Sequence, residues 1–246
     1  MNSIKTVIVT GAAKGIGKAI CERLLNDGFL VIAVDVDEHA GAELLSLLRG
    51  KAIEFIKANI SNETEVQHLF TSVIQKHQHI DAVVNNAGII RDNMIWKMSV
   101  EDFDTVINVN LKGTWLMCRE AAIAMKEQQS GRIVNIASRA WLGNRGQSNY
   151  SASKAGVVAL TRVLGLELGK YNVSVNAVAP GLIDTPLTQK LEPIVLQKLI
   201  DTQPSKSMGT PADVAKAVSF LVNADTQFIT GQTIYVDGGK SIGANM

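Results

Sequence analysis

Short apolar segments alternate with longer segments of helical periodicity along nearly the whole chain. This alternation is typical of repeated strand, helix, strand units, which build parallel sheets. The apolar runs show no polar alternation, as expected of strands that helices cover on both faces. The sequence therefore predicts an α/β fold with a doubly wound parallel sheet of seven strands and helices on both faces. The predicted strands are Thr6–Thr10, Leu30–Val34, Ile53–Ile56, Asp81–Asn85, Ile133–Ala137, Val173–Ala179 and Thr233–Val236.

The segments between these strands predict helices, and some have sequence signals at their ends. Ser99 followed by Asp102 resembles a capping box, and Thr210-Pro211 places proline at a first helical position. No linker, repeat or low-complexity segment divides the 246 residues, so we expect one domain over residues 1–246. The predicted helices are Ile16–Asn26, Ala40–Leu48, Glu63–Lys76, Val100–Gln128, Tyr150–Gly169, Pro186–Leu199 and Pro211–Val222.

Charge and composition exclude several classes of partner. The chain has 24 basic and 23 acidic residues, which gives a net charge of +1 and no basic field for nucleic acid. No apolar run approaches the length of a membrane span, and no secretory signal is recognised. The two cysteines, Cys21 and Cys118, lack disulfide or metal spacing, and the four histidines fall in no motif. We expect a cytoplasmic protein that binds no nucleic acid, membrane or metal.

A glycine-rich segment, Thr10–Gly17, joins the first strand to the first helix. Glycines at such a turn let a pyrophosphate approach the amides at the start of the helix. Asp35, at the end of the second strand, could accept hydrogen bonds from a ribose diol and would repel a 2′-phosphate, which favours NAD over NADP. Lys14 has two interpretations, a cation that serves NADP or a solvated loop lysine.

Polar residues also follow the third and fourth predicted strands. Asn85–Gly88 supplies small residues at the carboxyl edge of a central strand, where a cofactor would lie. Asn59 follows the third strand, and its side-chain oxygen could accept a hydrogen bond from an adenine amino group. A simple turn residue is an equally good interpretation of Asn59.

The strongest candidates for catalytic residues are Ser138, Tyr150 and Lys154. Tyr150 and Lys154 lie four residues apart at the start of a predicted helix, which places both on one face. A phenol is a poor acid or base at pH 7, but a nearby ammonium stabilises the phenolate and lowers the phenol pKa. We therefore expect the Lys154 ammonium to lower the pKa of the Tyr150 phenol, beside Ser138.

Together these segments resemble the short-chain dehydrogenase/reductase family over nearly the full length, with its Rossmann fold. Thr10–Gly17 matches the family's cofactor loop, Asn85–Gly88 its Asn-Asn-Ala-Gly motif, and Ser138, Tyr150 and Lys154 its catalytic triad. The resemblance implies that Asn110 completes a tetrad by holding a relay water, and that Lys154 also binds ribose hydroxyls. The implied cofactor-binding residues are Gly11, Lys14, Gly15, Ile16, Gly17, Asp35, Asn59, Ile60, Asn86, Ala87, Gly88, Tyr150, Lys154, Pro180, Gly181, Ile183 and Thr185. Asn59 departs from the family, which usually has Asp there.

Within the family, Asn86–Asn93 and Gly143–Tyr150 resemble the 3-oxoacyl thioester reductases, which act on acyl-carrier-protein or coenzyme A thioesters. Two segments depart from that branch. Those reductases commonly use NADPH, whereas Val34–Asp37 carries two acids at the end of strand two. Ser138–Leu142 is bulkier than their usual small apolar stretch, so Trp141 is either a wall of the substrate pocket or a packing residue. The implied substrate-pocket residues are Ser138, Arg139, Ala140, Trp141, Arg145 and Tyr150.

The sequence thus predicts an oxidoreductase that interconverts a 3-hydroxyacyl and a 3-oxoacyl thioester with NAD(H), coenzyme A thioesters being favoured. Two alternatives stay open: an NAD-dependent dehydrogenase of a free secondary alcohol, diol or cyclic ketone, and a catalytically silent structural subunit. Arg91, Arg139 and Arg145 could receive a carboxylate, a phosphopantetheine phosphate or an acidic partner surface, or be solvated. The resemblance also implies a homotetramer built on the long central helices.

Overall fold

Seven parallel strands form one sheet in the computed structural model, which describes residues 4–186 and 188–242. The strand order is β3-β2-β1-β4-β5-β6-β7, so the order reverses between β1 and β4. This confirms the predicted doubly wound sheet of seven strands, each strand ending within two residues of its predicted bounds. The strands are β1 (Thr6–Thr10), β2 (Leu30–Asp35), β3 (Ile53–Lys57), β4 (Ala82–Asn85), β5 (Gly131–Ile136), β6 (Val173–Pro180) and β7 (Thr233–Val236).

Helices cover both faces of the sheet. Along β1, Val7 and Val9 enter one apolar core while Ile8 enters the other, so every side chain of the strand is buried. This explains why the strand sequence shows no polar alternation. The helices are α1 (Gly15–Asn26), α2 (Glu38–Leu47), α3 (Glu63–His77), α4 (Val100–Ile107), α5 (Thr114–Gln128), α6 (Ser148–Leu168), α7 (Pro193–Asp201) and α8 (Pro211–Val222).

The predicted helix Val100–Gln128 is interrupted. A π-helical turn, Asn108–Gly113, separates α4 from α5. The Asn110 side chain pairs with the backbone of Ile89, and the Thr114 hydroxyl donates to the Asn110 carbonyl at 2.7 Å. These bonds hold the extra residue of the wider turn, a feature that often occurs at functional sites. Helical periodicity alone could not show it.

The predicted helix Pro186–Leu199 also differs from the structure. A 3₁₀ turn, Thr188–Lys190, comes first, and α7 starts only at Pro193. The Thr188 hydroxyl donates to the Ile183 carbonyl at 2.8 Å and accepts from the Thr185 amide at 2.9 Å, which fixes a turn before the helix. Proline at the first helical position then suits its fixed φ. Leu187 lies outside the described residues.

Across the ranges 4–186 and 188–242, no helix combines the length and the apolar character needed to cross a membrane.

Candidate active site

A cavity of about 1360 Å³ runs along the carboxyl ends of the strands, where the strand order reverses. In open α/β sheets this edge is the usual place for a ligand. The residues predicted to bind a cofactor converge here, although they come from six separate segments of the chain. Those that line the cavity are Gly11, Lys14, Gly15, Ile16, Asp35, Asn59, Ile60, Asn86, Ala87, Gly88, Tyr150, Lys154, Pro180, Gly181, Ile183 and Thr185.

The glycine-rich segment Thr10–Gly17 runs from the end of β1 into the first turn of α1. Gly11 and Gly15 have φ values of +60° and +54°, a region that favours glycine. Gly17 does not line the cavity, but a Cβ there would lie 1.9 Å from the Gly11 carbonyl oxygen, so glycine is needed for close packing. Among residues 4–186 and 188–242, no side chain caps the start of α1, whereas Asp37 and Asn62 cap α2 and α3. The first amides of α1 are therefore available to a phosphate.

Hydrogen bonds tie this loop to the end of β4. The Asn86 side-chain amide donates to the carbonyls of Thr10 and Gly11, both at 3.0 Å. The Thr10 hydroxyl accepts from the backbone amides of Asn86 and Ala87 at 3.0 and 3.1 Å. Two of the predicted cofactor segments thus form one rigid unit at the switch point of the sheet.

The acids at the end of β2 are held by partners within the chain. Asp35 accepts from the backbone amides of Ala13 and Asp37, both at 3.1 Å. Asp37 caps α2 with one oxygen and pairs with Lys14 through the other at 2.7 Å. This pairing lowers the pKa of Asp37 and raises the pKa of Lys14. Lys14 is therefore paired with Asp37, while backbone amides hold the Asp35 carboxylate.

Asn59 is exposed at the end of β3 and engaged in a local turn. Its side-chain oxygen accepts from the Ser61 amide at 3.0 Å and from the Ser61 hydroxyl at 2.8 Å. Its backbone amide donates to Glu65 at 2.8 Å. The structure thus places Asn59 on the cavity while its oxygen serves as a turn acceptor, the second of the two interpretations.

Ser138, Tyr150 and Lys154 line the same cavity. Ser138 follows β5, while Tyr150 and Lys154 lie on the first turns of α6. Lys154 is buried, its Nζ donates to the Ile136 carbonyl at 2.7 Å, and it lies 5.7 Å from the centre of the Tyr150 ring. Burial lowers the pKa of Lys154 to about 8, so the ammonium form predominates at neutral pH.

The Tyr150 phenol differs from the expectation of a lowered pKa. Burial raises the pKa of Tyr150, the nearby Ser138 hydroxyl lowers it, and the Asp92 carboxylate raises it. The Lys154 ammonium does not offset burial, because it is itself desolvated and donates to the Ile136 carbonyl. The protein residues alone therefore hold the phenol in its protonated form.

Asn110 lies behind the cavity wall, in the π-helical turn. It is fully buried, accepts from the Ile89 amide at 2.8 Å, and donates to the Ile89 carbonyl at 3.0 Å and the Ser153 hydroxyl at 3.2 Å. A Cβ at Gly88 would lie 3.3 Å from Asn110 Oδ1 and 3.5 Å from Lys154 Nζ. The Asn110 side chain is thus committed to protein partners, and it positions the segment beside Lys154.

The predicted substrate residues separate into two groups. Arg139 and Ala140 line the cavity with Ser138, whose hydroxyl accepts from the Ala140 amide at 3.1 Å. Trp141 and Arg145 do not line the cavity. Trp141 packs with the cluster that contains Ala137, Val157, Val158, Ala177 and Ala179, and Arg145 is exposed. The 3₁₀ turn Arg139–Leu142 explains this, because it directs Trp141 toward α6.

Sequence reasoning missed Asp92 and Gln147. Gln147 is buried on the cavity and donates to the Asp92 carboxylate at 2.8 Å, which joins the loop after β4 to the start of α6. Burial raises the pKa of Asp92. Both residues lie within the two segments that resemble the thioester reductases, and that was the available signal.

The cavity fits a dinucleotide. Glycines stand where a Cβ would collide with the backbone, the first amides of α1 have no side-chain cap, and an oriented acid ends β2. At the other end of the cavity, Tyr150 and Lys154 lie beside Ser138. Among the described residues, no cluster of His, Cys, Asp and Glu could hold a metal ion. The fold and the site together define a dinucleotide-dependent oxidoreductase.

Comparisons with known proteins identify the family. Residues 11–241 match the family described as enoyl-(acyl carrier protein) reductase. The chain is 42% identical to (2S)-((R)-hydroxy(phenyl)methyl)succinyl-CoA dehydrogenase subunit BbsD of Thauera aromatica, over 97% of each chain. It is 40% identical to 3-oxoacyl-(acyl-carrier-protein) reductase FabG of Thermotoga maritima, over 97% of this chain and 98% of that one. A solved structure described as gox2181 superposes with a TM-score of 0.94 at 31% identity, covering 98% of this chain and 96% of that one.

The chain belongs to the short-chain dehydrogenase/reductase family, which confirms the resemblance drawn from the motifs. It is an oxidoreductase that acts on CH–OH or keto groups with a nicotinamide cofactor.

Proposed function

We propose that the protein interconverts a 3-hydroxyacyl and a 3-oxoacyl thioester by hydride transfer, with coenzyme A thioesters as the favoured form. The observation that carries the proposal is the shared cavity of Ser138, Tyr150 and Lys154 with the glycine-rich segment. Two relatives at 40% and 42% identity have thioester names, an acyl-carrier-protein substrate for one and a succinyl-CoA substrate for the other. Both names place the reacting oxygen near a thioester.

In the oxidative direction, the Ser138 hydroxyl holds the substrate oxygen and the Tyr150 phenolate accepts its proton. When bound, a nicotinamide cofactor would accept at C4 the hydride that the substrate carbon loses. The substrate C–H bond breaks as a hydride leaves, the hydroxyl proton passes to the Tyr150 oxygen, and the C=O double bond forms. Reduction runs through the same atoms in reverse.

Lys154 and Asn110 support this chemistry in different ways. Lys154 contributes positive charge below the Tyr150 ring and is the candidate to bind the cofactor ribose hydroxyls. Asn110 acts as a positioning residue, because its side chain fixes the Ile89 backbone next to Gly88 and Lys154. The relay water implied for Asn110 stays a prediction, because Asn110 Oδ1 accepts one hydrogen bond within the described chain and an amide oxygen can accept two.

We further propose that NAD is preferred over NADP. Asp35 is aligned by two backbone amides, whereas Lys14 is paired with Asp37. A 2′-phosphate at this end of the cavity would therefore lie beside the Asp35 carboxylate, while Lys14 is already paired with Asp37. FabG-type relatives commonly use NADPH, so this end of the cavity is where the chain departs from them.

The experiment is a substrate screen with the purified protein, followed by absorbance of the reduced nicotinamide. We expect oxidation of 3-hydroxyacyl-CoA thioesters with NAD, and lower kcat/KM for acyl-carrier-protein thioesters, NADP and free secondary alcohols. Turnover confined to free alcohols, diols or cyclic ketones would replace the proposal with that alternative. Absence of turnover in the whole screen, with NAD binding intact, would support a silent subunit.

For the assembly we propose a homotetramer. On α5 and α6, Trp115, Ile123 and Leu166 are 45, 57 and 86% exposed. Such an apolar surface on paired helices fits contact with a second copy of the chain. Size-exclusion chromatography with light scattering should give the mass of four chains, and a monomer at micromolar concentration would contradict this.

We also place the protein in the cytoplasm. Cys21 and Cys118 are free, buried thiols, and burial raises the pKa of Cys118 to about 12. Free cysteines are typical of reducing compartments. Fractionation of cells that produce the protein tests the location.

A further inference from the structure

Among the residues that the structure describes, Arg139 is the cation of the cavity lining that has no partner in the chain. It lines the cavity directly after Ser138, and its Nε atom is buried and makes no hydrogen bond. No carboxylate oxygen of residues 4–186 or 188–242 lies within 4.0 Å of its guanidinium group. Its terminal nitrogens are not among the buried unpaired atoms, so a bound anion could reach them without displacing a partner among the described residues.

The other cations that line the cavity all have partners in the chain. Lys14 pairs with Asp37 at 2.7 Å, and Arg91 lies 3.9 Å from Asp102. Lys154 donates to the Ile136 carbonyl at 2.7 Å, and Lys240 donates to the Thr202 carbonyl at 2.7 Å. Among the described residues, Arg139 is therefore the cavity cation that can pair with a bound ligand.

Arg132 provides a useful comparison, because its Nε is also buried without a partner. Its terminal nitrogens, however, donate to the carbonyls of Gly131, Asn172 and Ala224, so Arg132 joins structural elements and does not line this cavity. The Arg139 guanidinium has no such bonds among the described residues. Its planar fork matches a carboxylate in a bidentate arrangement.

The position of Arg139 limits where that carboxylate lies in the substrate. Arg139 is the chain neighbour of Ser138, which holds the reacting oxygen in the proposed function. The anion must therefore lie within one arginine side chain of the reacting carbon. The phosphates of coenzyme A are separated from the thioester by the whole pantetheine arm, so they fall outside this reach.

We infer that the substrate is a 3-hydroxyacyl or 3-oxoacyl thioester that carries a second, free carboxylate on a short branch beside the reacting carbon, and that Arg139 binds this carboxylate. The inference rests on the proposed function and narrows its substrate class. It makes Arg139 a specificity-determining residue in place of the small apolar residue typical of the thioester reductases.

The test compares two coenzyme A thioesters that differ in one group. The first is a 3-hydroxyacyl-CoA with a carboxymethyl branch at C2, and the second is its neutral carboxamide. With the unmodified protein we expect kcat/KM to be about 10- to 100-fold higher for the acid, since a hydrogen bond between charged groups is lost with the amide. Arg139→Gln should bring this ratio close to one, and Arg139→Lys should restore part of it.

The matched control is Arg145→Gln, which removes the same charge from an exposed position of the same loop. It should keep the preference for the acid. NAD titration, followed by protein fluorescence, checks that Arg139→Gln is folded. If that variant does not bind NAD, the inference is judged from two kcat/KM ratios of acid to amide, that of the unmodified protein and that of Arg139→Lys.

The outcomes separate the two claims. Equal kcat/KM for acid and amide with the unmodified protein overturns the inference and leaves the proposed function standing. Loss of the preference in Arg145→Gln, with its retention in Arg139→Gln, also overturns it. Turnover of free alcohols with both thioesters inert overturns the proposed function itself and the inference with it.

Discussion

The two ends of the cavity differ in how their charged groups are satisfied. At the cofactor end, Lys14 and Asp37 pair at 2.7 Å and Asp35 accepts from two backbone amides. At the substrate end, Arg139 has no partner among the described residues. An apolar side chain of α7, Leu199, also lines the cavity and is 38% exposed.

This difference shows which part of the site is complete in the protein alone. Hydrogen bonds within the chain fix the cofactor end, so its shape does not depend on a ligand. The substrate end leaves a cation for the substrate to satisfy. The residues of the cofactor end therefore indicate the class of the reaction, whereas those of the substrate end determine which substrate binds.

The largest effect is expected for Tyr150→Phe, which separates cofactor binding at one end of the cavity from proton transfer at the other. It removes the phenol oxygen and keeps the ring, so cofactor binding should survive while proton transfer is lost. We expect turnover to fall by about 10²- to 10⁴-fold, the range that acid–base catalysis supplies. Steady-state kinetics and NAD titration measure the two effects.

Tyr171→Phe is the matched control, because Tyr171 lies in the 3₁₀ turn after α6 and outside the cavity lining. It should keep the kinetics of the unmodified protein. Turnover of Tyr150→Phe close to that of the unmodified protein would mean that another group transfers the proton.

A second change, Gly17→Ala, tests whether the cofactor end is as rigid as its bonds indicate. The new Cβ would lie 1.9 Å from the Gly11 carbonyl oxygen, so α1 or the loop must shift. We expect NAD affinity to fall about tenfold or more, because small displacements at a preorganised site are costly. Calorimetric NAD titration measures this.

Gly169→Ala is its control, since a Cβ there meets nothing within 4 Å. It should bind NAD as the unmodified protein does. Unchanged NAD affinity in Gly17→Ala would show that the loop adapts and that the two ends differ less than their contacts indicate.

Much of the cofactor end could be predicted from sequence because its signals are local. A strand, a glycine-rich turn and a helix follow one another in Thr10–Gly17, and the acid Asp35 ends the next strand. The backbone bonds that fix these groups occur within or between adjacent strands. The predicted strands match the structure for the same reason, since each is a short and mostly apolar run.

The substrate end could not be predicted to the same extent because side-chain direction decides it. The 3₁₀ turn Arg139–Leu142 places Arg139 on the cavity and Trp141 against the cluster around Val157, and the sequence contains no signal for that choice. The π-helical turn at Asn110 depends on a pairing with Ile89, 21 residues away. The Tyr150 pKa depends on burial, which spacing alone does not give.

A smaller effect is expected for Asp35→Ser, which sharpens the comparison at the cofactor end. Without the Asp35 charge a 2′-phosphate meets less repulsion, so the ratio of kcat/KM for NAD to that for NADP should fall about tenfold. Assays with both cofactors measure it. Asp225→Ser, at an exposed position outside the cavity lining, should leave the ratio unchanged. An unmodified protein that uses both cofactors equally would contradict the assignment of Asp35.

The smallest expected effect concerns Asp92, which links the substrate end to the proton acceptor. Its carboxylate accepts from Gln147 at 2.8 Å, and its negative charge raises the pKa of Tyr150. Oxidation needs the phenolate, so kcat/KM climbs as pH rises through the Tyr150 pKa. Asp92→Asn keeps an acceptor for Gln147 and removes the charge, so the Tyr150 pKa falls and the acidic limb of the profile moves to lower pH.

On that limb, kcat/KM of Asp92→Asn at a fixed pH should be about twofold to fivefold that of the unmodified protein. The pH dependence of kcat/KM with NAD measures this. Asp104→Asn removes the same charge from an exposed position on α4 and should not move the limb, since Asp104 does not act on the Tyr150 phenol. A limb that moves to higher pH in Asp92→Asn would mean that Asp92 stabilises the Tyr150 phenolate. The effect of Asp92 on the Tyr150 pKa would then come from the structure that it holds in place and not from its charge.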